Sequence, residues 1–290
     1  MGRQRKTETA EKALRAEPLI DKRQLSRRAG DFPRPSGKVY ITTMFNTTNA
    51  LVLREVRYKE ADRILTLFTA SDGKLTAKAR GALRKSSKTA AATQQLTYSE
   101  LTLFGNKGRW TVNEAAVIEP FSGLREDIGR FALGCYFAEC LEAFGVEDQP
   151  DGALMQLGLN SLYALSRDLY PPEQIKAAFE FRLMCLAGYE PDVTACAVCG
   201  REAPEEPALS LEHGVLCCRD CRSAALGNTA GLCEASLAAL RYIISASAKQ
   251  LFSFRLDEKA MERLADAAER YLLSHAERSF STLEYWKKVR

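Results

Sequence analysis

Residues 63–80, which read RILTLFTASDGKLTAKAR, decide the fold. They contain two short runs of strand-forming residues, 63–69 and 74–80, which are separated by a segment containing Asp72 and Gly73. The second run alternates between polar and apolar side chains, and successive side chains of a strand point to opposite faces. It is therefore predicted to be a strand with one apolar and one basic face. The basic face carries Lys74, Thr76, Lys78 and Arg80.

Similar runs continue on both sides of this stretch. Each is rich in Val, Ile, Leu, Thr or aromatic residues and is bounded by Gly, Asn or Asp, as is typical of strands. The predicted strands are 48–58, 63–69, 74–80, 96–104 and 110–118. Five short strands with a long basic connection between the third and the fourth predict an OB-type β-barrel over residues 44–120. This fold commonly binds oligonucleotides.

The spacing of apolar residues lengthens to a helical period after residue 121. The first helix is predicted around residues 131–144, and further helices are predicted over 154–169, 173–187, 234–249 and 258–275. A chain of 290 residues is long enough for two ordinary domains. The predicted fold class is therefore α+β, with an N-terminal five-stranded OB-type barrel followed by an α-helical domain over residues 121–290.

Charge is distributed unevenly along the chain. Residues 1–43 carry 11 basic and 5 acidic residues, and residues 44–120 carry 12 and 7, whereas residues 121–290 carry 18 and 25. Such asymmetry is expected when one domain meets a polyanion and the other does not. Residues 1–43 are rich in Arg, Lys, Ser and Pro, which predicts a disordered basic extension.

Composition excludes several classes of protein. With 46% hydrophobic and 27% charged residues, the chain has the composition of a globular protein, and it has no apolar run of the ~20 residues that a membrane-spanning helix requires. Its charged N-terminus lacks the apolar stretch of a secretory signal. The expected location is the cytoplasm, at the nucleoid, with no membrane partner.

The connection after the third strand is strongly basic. Residues 74–88 carry six cations and no acid, so the cations repel one another unless a partner such as a phosphate backbone neutralises them. A solvated loop without a partner is the simpler alternative. Tyr98, Phe104 and Trp110 would suit base stacking, although core packing is the commoner role of such residues. The candidate nucleic-acid-binding residues are Lys74, Lys78, Arg80, Arg84, Lys85, Lys88, Lys107 and Arg109.

Four of the nine cysteines form two C-x-x-C pairs within residues 196–221. Such pairs supply two thiolates each to one tetrahedral zinc ion, and a closed four-sulfur shell makes the metal structural rather than catalytic. Cys217 is an alternative ligand to Cys218, and His213 is a weaker alternative. Four reduced thiols without metal, or a redox pair, are the simpler alternative. The predicted zinc ligands are Cys196, Cys199, Cys218 and Cys221.

Several segments, in this order, resemble the RecO family. In the predicted barrel they are residues 50–54 (ALVLR), 58–65 (YKEADRIL) and 79–86 (ARGALRKS). In the helical part they are 181–183 (FRL), 187–191 (AGYEP), 196–200 (CAVCG) and 213–217 (HGVLC). One departure is Ala82-Leu83-Arg84, where the family commonly has Arg-Arg-Pro.

The resemblance implies a non-enzymatic mediator of DNA repair and recombination. Such a protein binds and anneals single-stranded DNA, also contacts duplex DNA, binds the acidic C-terminal tail of single-strand binding protein (SSB), and joins RecR to help load recombinase. It takes no small-molecule substrate.

Motifs that would indicate an enzyme are missing from the sequence. There is no phosphate-binding G-x-x-x-x-G-K-[ST] loop and no strand-linked G-x-G-x-x-G. The H-x-E and P-C-x-x-C pair of the zinc deaminases is also missing. The remaining alternative is an RNA-binding or transcription-associated OB-fold protein with a structural zinc ribbon, because a basic barrel does not by itself distinguish RNA from DNA.

Overall fold

The structure is a computed structural model that describes residues 44–106, 108–222 and 226–290. The predicted basic extension, residues 1–43, lies outside the described residues, as does the candidate residue Lys107. The described residues form two parts, a β-barrel and a helical part that also holds a small sheet.

Five strands form a closed barrel with the order β1-β2-β3-β5-β4. All pairings are antiparallel except that of β3 with β5, which is parallel and is limited to Ala77 opposite Trp110 and Lys78 opposite Thr111. The strands are β1 (Met44–Tyr58), β2 (Asp62–Thr69), β3 (Gly73–Ala79), β4 (Tyr98–Asn106) and β5 (Arg109–Glu119). The predicted five-stranded barrel is confirmed.

The alternation seen in the sequence explains the barrel interior. Along β3, Leu75, Ala77 and Ala79 are buried, whereas the side chains between them are partly or fully exposed. The fourth strand begins later than predicted: Leu96 is buried but has a φ of 59°, a left-handed conformation that a strand does not allow. The strand therefore starts at Tyr98.

After the barrel, the described residues contain six α-helices. Asp127, Asp151 and Asp257 cap three of them, because each carboxylate accepts a hydrogen bond from a backbone N–H in the first turn. The helices are α1 (Ile128–Phe144), α2 (Gly152–Ser166), α3 (Pro172–Leu186), α4 (Glu234–Ser245), α5 (Glu258–Ala276) and α6 (Ser281–Val289). The five predicted helices are confirmed with small shifts at their ends, and α6 was not predicted.

A small four-stranded sheet interrupts the helices between α3 and α4. Its order is β6-β8-β7-β9, with β6 parallel to β8 and the other pairs antiparallel. The strands are β6 (Asp192–Cys196), β7 (Ala208–Ser210), β8 (Val215–Cys217) and β9 (Thr229–Gly231). All four cysteines of the two C-x-x-C pairs lie at or beside this sheet.

One hydrophobic core extends from the outer surface of the barrel into the helices. Leu51, Leu53 and Phe68 of the barrel belong to the same buried cluster as Phe137 and Leu141 of α1. The barrel and the helical part are therefore packed together. None of the helices in the described part of the chain is long and apolar enough to cross a membrane.

Candidate nucleic-acid interface and metal centre

A groove of about 960 Å³ lies on the barrel where β3 and β5 separate. Its lining includes three predicted nucleic-acid-binding residues, Lys78, Arg80 and Arg109. Lys78 and Arg80 come from the basic face of β3 and the residue after it, and Arg109 begins β5. The short β3–β5 pairing thus brings cations together that are separated by about 30 positions in the sequence.

The basic loop, residues 80–88, continues from this groove along the surface. Among the described residues, Arg84, Lys85 and Lys88 are exposed and form no ion pair. The same holds for Arg80 and Arg109. Five cations that no described acidic residue neutralises therefore lie in the groove and on the adjoining loop, which favours a polyanionic partner.

Lys78 is an exception, because Asp62 neutralises it. Its ammonium nitrogen lies 2.8 Å from Asp62 Oδ2. The hydrogen bond from Lys78 lowers the pKa of the Asp62 carboxyl, and the backbone N–H of Gly81 lowers it further. The sequence-based view that no acid neutralises this segment is therefore wrong for Lys78. The pairing follows from the antiparallel register, in which Arg63 lies opposite Ala79 and Asp62 therefore lies beside the end of the third strand.

Lys74 is placed differently from the other candidates. Its ammonium group donates a hydrogen bond of 2.9 Å to the carbonyl of Glu142, in the last turn of α1, and its backbone N–H bonds to the carbonyl of Val146. A cation near the C-terminus of a helix is favourable, because the final carbonyls carry a partial negative charge. Lys74 therefore holds the barrel against α1 and does not line the groove.

The three aromatic candidates have different environments. Tyr98 packs against the core shared with the helices. Trp110 packs partly on the barrel core and also lines the groove. Phe104 lines the groove and contacts the exposed ring of Phe45, with 5.2 Å between ring centroids. Phe104 and Trp110 thus combine a packing role with access to the groove, which Tyr58 also lines.

The four predicted zinc ligands lie together. The sulfur atoms of Cys196, Cys199, Cys218 and Cys221 are all within 4.8 Å of one another, and the Cys199 and Cys218 sulfurs are 3.8 Å apart. Four thiolates at ~2.3 Å around a tetrahedral zinc ion would be separated by about 3.8 Å. The group has the composition and dimensions of a structural zinc site, and these four cysteines could hold a metal ion.

The small sheet explains why the cysteines meet. Parallel pairing puts Cys196 of β6 opposite Leu216 of β8, beside the second C-x-x-C pair. The first pair is closed by a turn in which Gly200 N–H bonds to the Cys196 carbonyl, and Gly200 has a φ of 72°, which favours glycine. Arg241 of α4 secures the sheet by donating to the carbonyls of Val193, Thr194 and Glu202.

Cys217 points away from the group of four. Its side chain is fully buried, and its thiol donates to the carbonyl of Ala208 at 3.4 Å. Cys218 N–H, by contrast, donates to the sulfur of Cys196. Burial raises the pKa of the Cys196 thiol, but backbone N–H groups, including that of Cys199, outweigh it and lower the pKa to about 7. This favours the thiolate form of Cys196, which a metal requires, whereas burial raises the pKa of the Cys218 and Cys221 thiols.

The molecule is thus an OB-type barrel with a basic groove, joined to a helical part with a four-cysteine cluster. Two family models match it: "Recombination protein O N terminal" over residues 44–121 and "Recombination protein O C terminal" over residues 125–284. The chain belongs to the RecO family of DNA repair proteins.

Curated relatives match over most of their length. The DNA repair protein RecO of Acetivibrio thermocellus is 37% identical over 246 residues, which cover 83% of this chain and 96% of the relative. The RecO of Alkaliphilus metalliredigens is 30% identical over 85% of this chain and 100% of its own length. The RecO of Heliobacterium modesticaldum is 33% identical over 81% of this chain and 88% of its own length. The resemblance inferred from the sequence is confirmed.

Proposed function

We propose that this protein is a non-enzymatic mediator of DNA repair and recombination that binds single-stranded DNA in the groove of its barrel. In this proposal residues 44–120 form the nucleic-acid-binding domain and residues 121–290 form a helical domain, in which residues 196–221 hold a structural zinc ion. The observation that carries the proposal is a group of five cations, in and beside one groove of the barrel of a DNA repair protein, that have no ion-pair partner in the described part of the chain.

Two features of the groove support a single strand as its occupant. The cations would contact phosphates, which supply affinity without reading sequence. Phe104 and Trp110 lie in the same groove, and aromatic rings beside a basic track stack the unpaired bases of a single strand. Bases within a duplex are already stacked on one another, so we expect duplex DNA to use only the phosphate contacts and to bind more weakly.

The four-cysteine cluster would bind zinc for structural reasons. With four protein sulfurs around the ion, no coordination position is left for a reactive water molecule. The ion would tie the β6 end of the small sheet to the segment after β8. The proposed role of the metal is to stabilise a sheet whose strands contain only three to five residues.

The mediator role adds protein partners. We propose that the protein anneals complementary strands, binds the acidic C-terminal tail of SSB, and joins RecR to load recombinase on SSB-coated DNA in the cytoplasm, at the nucleoid. This part of the proposal rests on family membership. A pull-down that compares full-length SSB with a tail-deleted SSB tests one partner directly, and undiminished binding of the deleted form would contradict it.

The alternative is an RNA-binding protein on the same barrel. Family membership favours DNA, and one experiment separates the two. Matched DNA and RNA oligonucleotides, single-stranded and duplex, are titrated with the protein across a series of salt concentrations. We expect the tightest binding for single-stranded DNA and a steep loss of affinity with salt for every substrate. Equal or tighter binding of RNA would overturn the assignment to DNA.

A further inference from the structure

The basic loop is held in place by two consecutive residues of the neighbouring hairpin, Asp62 and Arg63. Both lie at the start of β2, directly after the turn that follows β1. The connection between β3 and β4, described residues 80–97, contains turns but no helix or strand. Side-chain anchors are therefore important for its conformation, because it lacks the regular hydrogen bonds of a helix or a sheet.

Asp62 holds the beginning of this connection. Its Oδ1 accepts a hydrogen bond of 2.8 Å from the backbone N–H of Gly81, and its Oδ2 pairs with Lys78 at 2.8 Å. Gly81 has a φ of 65°, so the chain turns sharply where Asp62 holds it. The backbone of the same turn adds a third contact, in which Leu83 N–H bonds to the carbonyl of Ala61 at 2.9 Å.

Arg63 holds the far side of the connection. Its guanidinium donates to the carbonyl of Ala90 at 2.9 Å and to the hydroxyl of Thr93 at 3.1 Å. It also lies 3.4 Å from a carboxylate oxygen of Glu55. Arg63 is 9% exposed, so it is not available to contact a ligand on the surface. Between these two anchors, Arg84, Lys85 and Lys88 project into solvent.

Asp62 carries a negative charge beside cations that are proposed to bind a polyanion. An acid beside a track for a polyanion weakens the attraction, and here it also neutralises one of the track's own cations. A carboxylate at this point opposes binding as a charge and can favour binding only through geometry. Its contact with the Gly81 N–H is such a geometric contribution.

We infer that Asp62 is a positioning residue for nucleic-acid binding: together with Arg63 it fixes the basic loop so that Arg84, Lys85 and Lys88 face the same ligand as the groove. This inference rests on the proposed function. A loop that is already ordered loses less conformational freedom on binding, and a loop that is ordered only part of the time binds with an affinity reduced by that fraction.

Two variants with the same net charge separate geometry from electrostatics. Asp62→Asn keeps an oxygen that can accept from the Gly81 N–H, whereas Asp62→Ala does not, and both remove one negative charge. Both free Lys78, so both should steepen the dependence of log K on log salt by about 0.7 if Lys78 then contacts a phosphate. We expect Asp62→Ala to bind a single-stranded DNA oligonucleotide about three- to tenfold more weakly than Asp62→Asn, the range that one hydrogen bond can supply.

A second readout does not involve DNA. Trypsin cleaves after Arg and Lys, and native proteins are cut where the chain opens locally. We expect Asp62→Ala to be cleaved within residues 80–88 several times faster than Asp62→Asn or the wild type. Asp72→Ala is the matched control, because it removes the same charge at the opposite end of the β2–β3 hairpin, where Asp72 accepts from Asn46. This control should be cleaved as slowly as the wild type.

The outcomes distinguish failure of the inference about Asp62 from failure of the proposed function. Faster cleavage together with weaker binding of Asp62→Ala than of Asp62→Asn supports the inference. Equal affinities of these two variants overturn it, whether or not cleavage differs, since the anchor would then not serve binding. Failure of the proposed function would instead appear in the wild-type titration, as no binding of the oligonucleotide, before any variant is compared.

Arg63→Lys provides an independent check, because it keeps the charge but loses the planar group that reaches both Ala90 and Thr93. As a buried anchor of the loop, Arg63 is not expected to contact the ligand. The variant should therefore bind more weakly with an unchanged salt dependence, and a flatter salt dependence would contradict its role as an anchor.

Discussion

Replacing Arg84 and Lys85 with alanine should weaken single-stranded DNA binding by an amount that depends on salt. Five cations in the groove and on the basic loop have no ion-pair partner among the described residues: Arg80, Arg84, Lys85, Lys88 and Arg109. If each contacts one phosphate, the slope of log K against log salt should be about −3.5, because each contact contributes about 0.7 for single strands. The double variant should show a slope of about −2.1.

These slopes translate into a large difference in measured affinity. Raising salt from about 50 to about 200 mM should weaken the wild type roughly 100-fold and the double variant only about 20-fold. Fluorescence anisotropy with a labelled oligonucleotide at several salt concentrations measures both slopes. The same change should occur with unrelated base sequences, because phosphates carry no base identity.

A matched control removes two exposed cations from elsewhere. Arg255 and Lys259 lie beside the start of α5 and are also exposed, so their double alanine variant should keep the wild-type slope. Thermal unfolding of both double variants should stay close to the wild type, since surface substitutions usually change stability by less than about 0.5 kcal/mol. A full wild-type slope in the Arg84 and Lys85 variant would refute the assignment of the basic loop to DNA binding.

Three further predictions concern the metal, the core and pH. Cys218→Ser should lose the approximately one zinc per chain that a four-thiolate site binds, whereas Cys217→Ser should keep it; metal analysis of protein purified without chelator checks this, and equal loss in both would contradict the ligand set. Phe68→Ala should lower the free energy of unfolding by about 3–5 kcal/mol, as for other buried aromatic residues, measured by urea denaturation; a loss below about 1 kcal/mol would show that the shared core matters little. Burial lowers the pKa of His275, so the unfolded state binds more protons below about pH 6.5 and the contribution of His275 to stability is lost as pH falls through this range. His275→Gln should flatten that part of the stability profile, and an unchanged profile would exclude His275 as its source.

Strand alternation made the barrel predictable. Along β3 the apolar face turned out to be the buried face, and the paired C-x-x-C spacing identified four cysteines that meet in space. Both signals are local, and both follow from the geometry of a single strand or turn. Cys218 was preferred over Cys217 because C-x-x-C is the commoner turn, and Cys218 is the one that lies with the other three cysteines.

Contacts between distant segments could not be predicted in the same way. Lys74 belongs to the same run of cations as Lys78, but its partner is a carbonyl of α1, 68 residues away in the sequence. The small sheet was missed because strands of three residues, such as β7 and β8, are too short to show a period. The role of Asp62 became apparent only when the register of β2 and β3 was known.

The continuous core has a consequence for how such proteins can be recombined or engineered. A barrel cut out at residue 121 would expose Leu51, Leu53 and Phe68 to water, three large apolar side chains that would make the fragment prone to aggregate. A chimera that joins this barrel to the helices of a relative would have to exchange the facing residues of α1 as well. Substitutions on the two sides of this contact should therefore be inherited together, so the unit of exchange includes at least the barrel and its first helix.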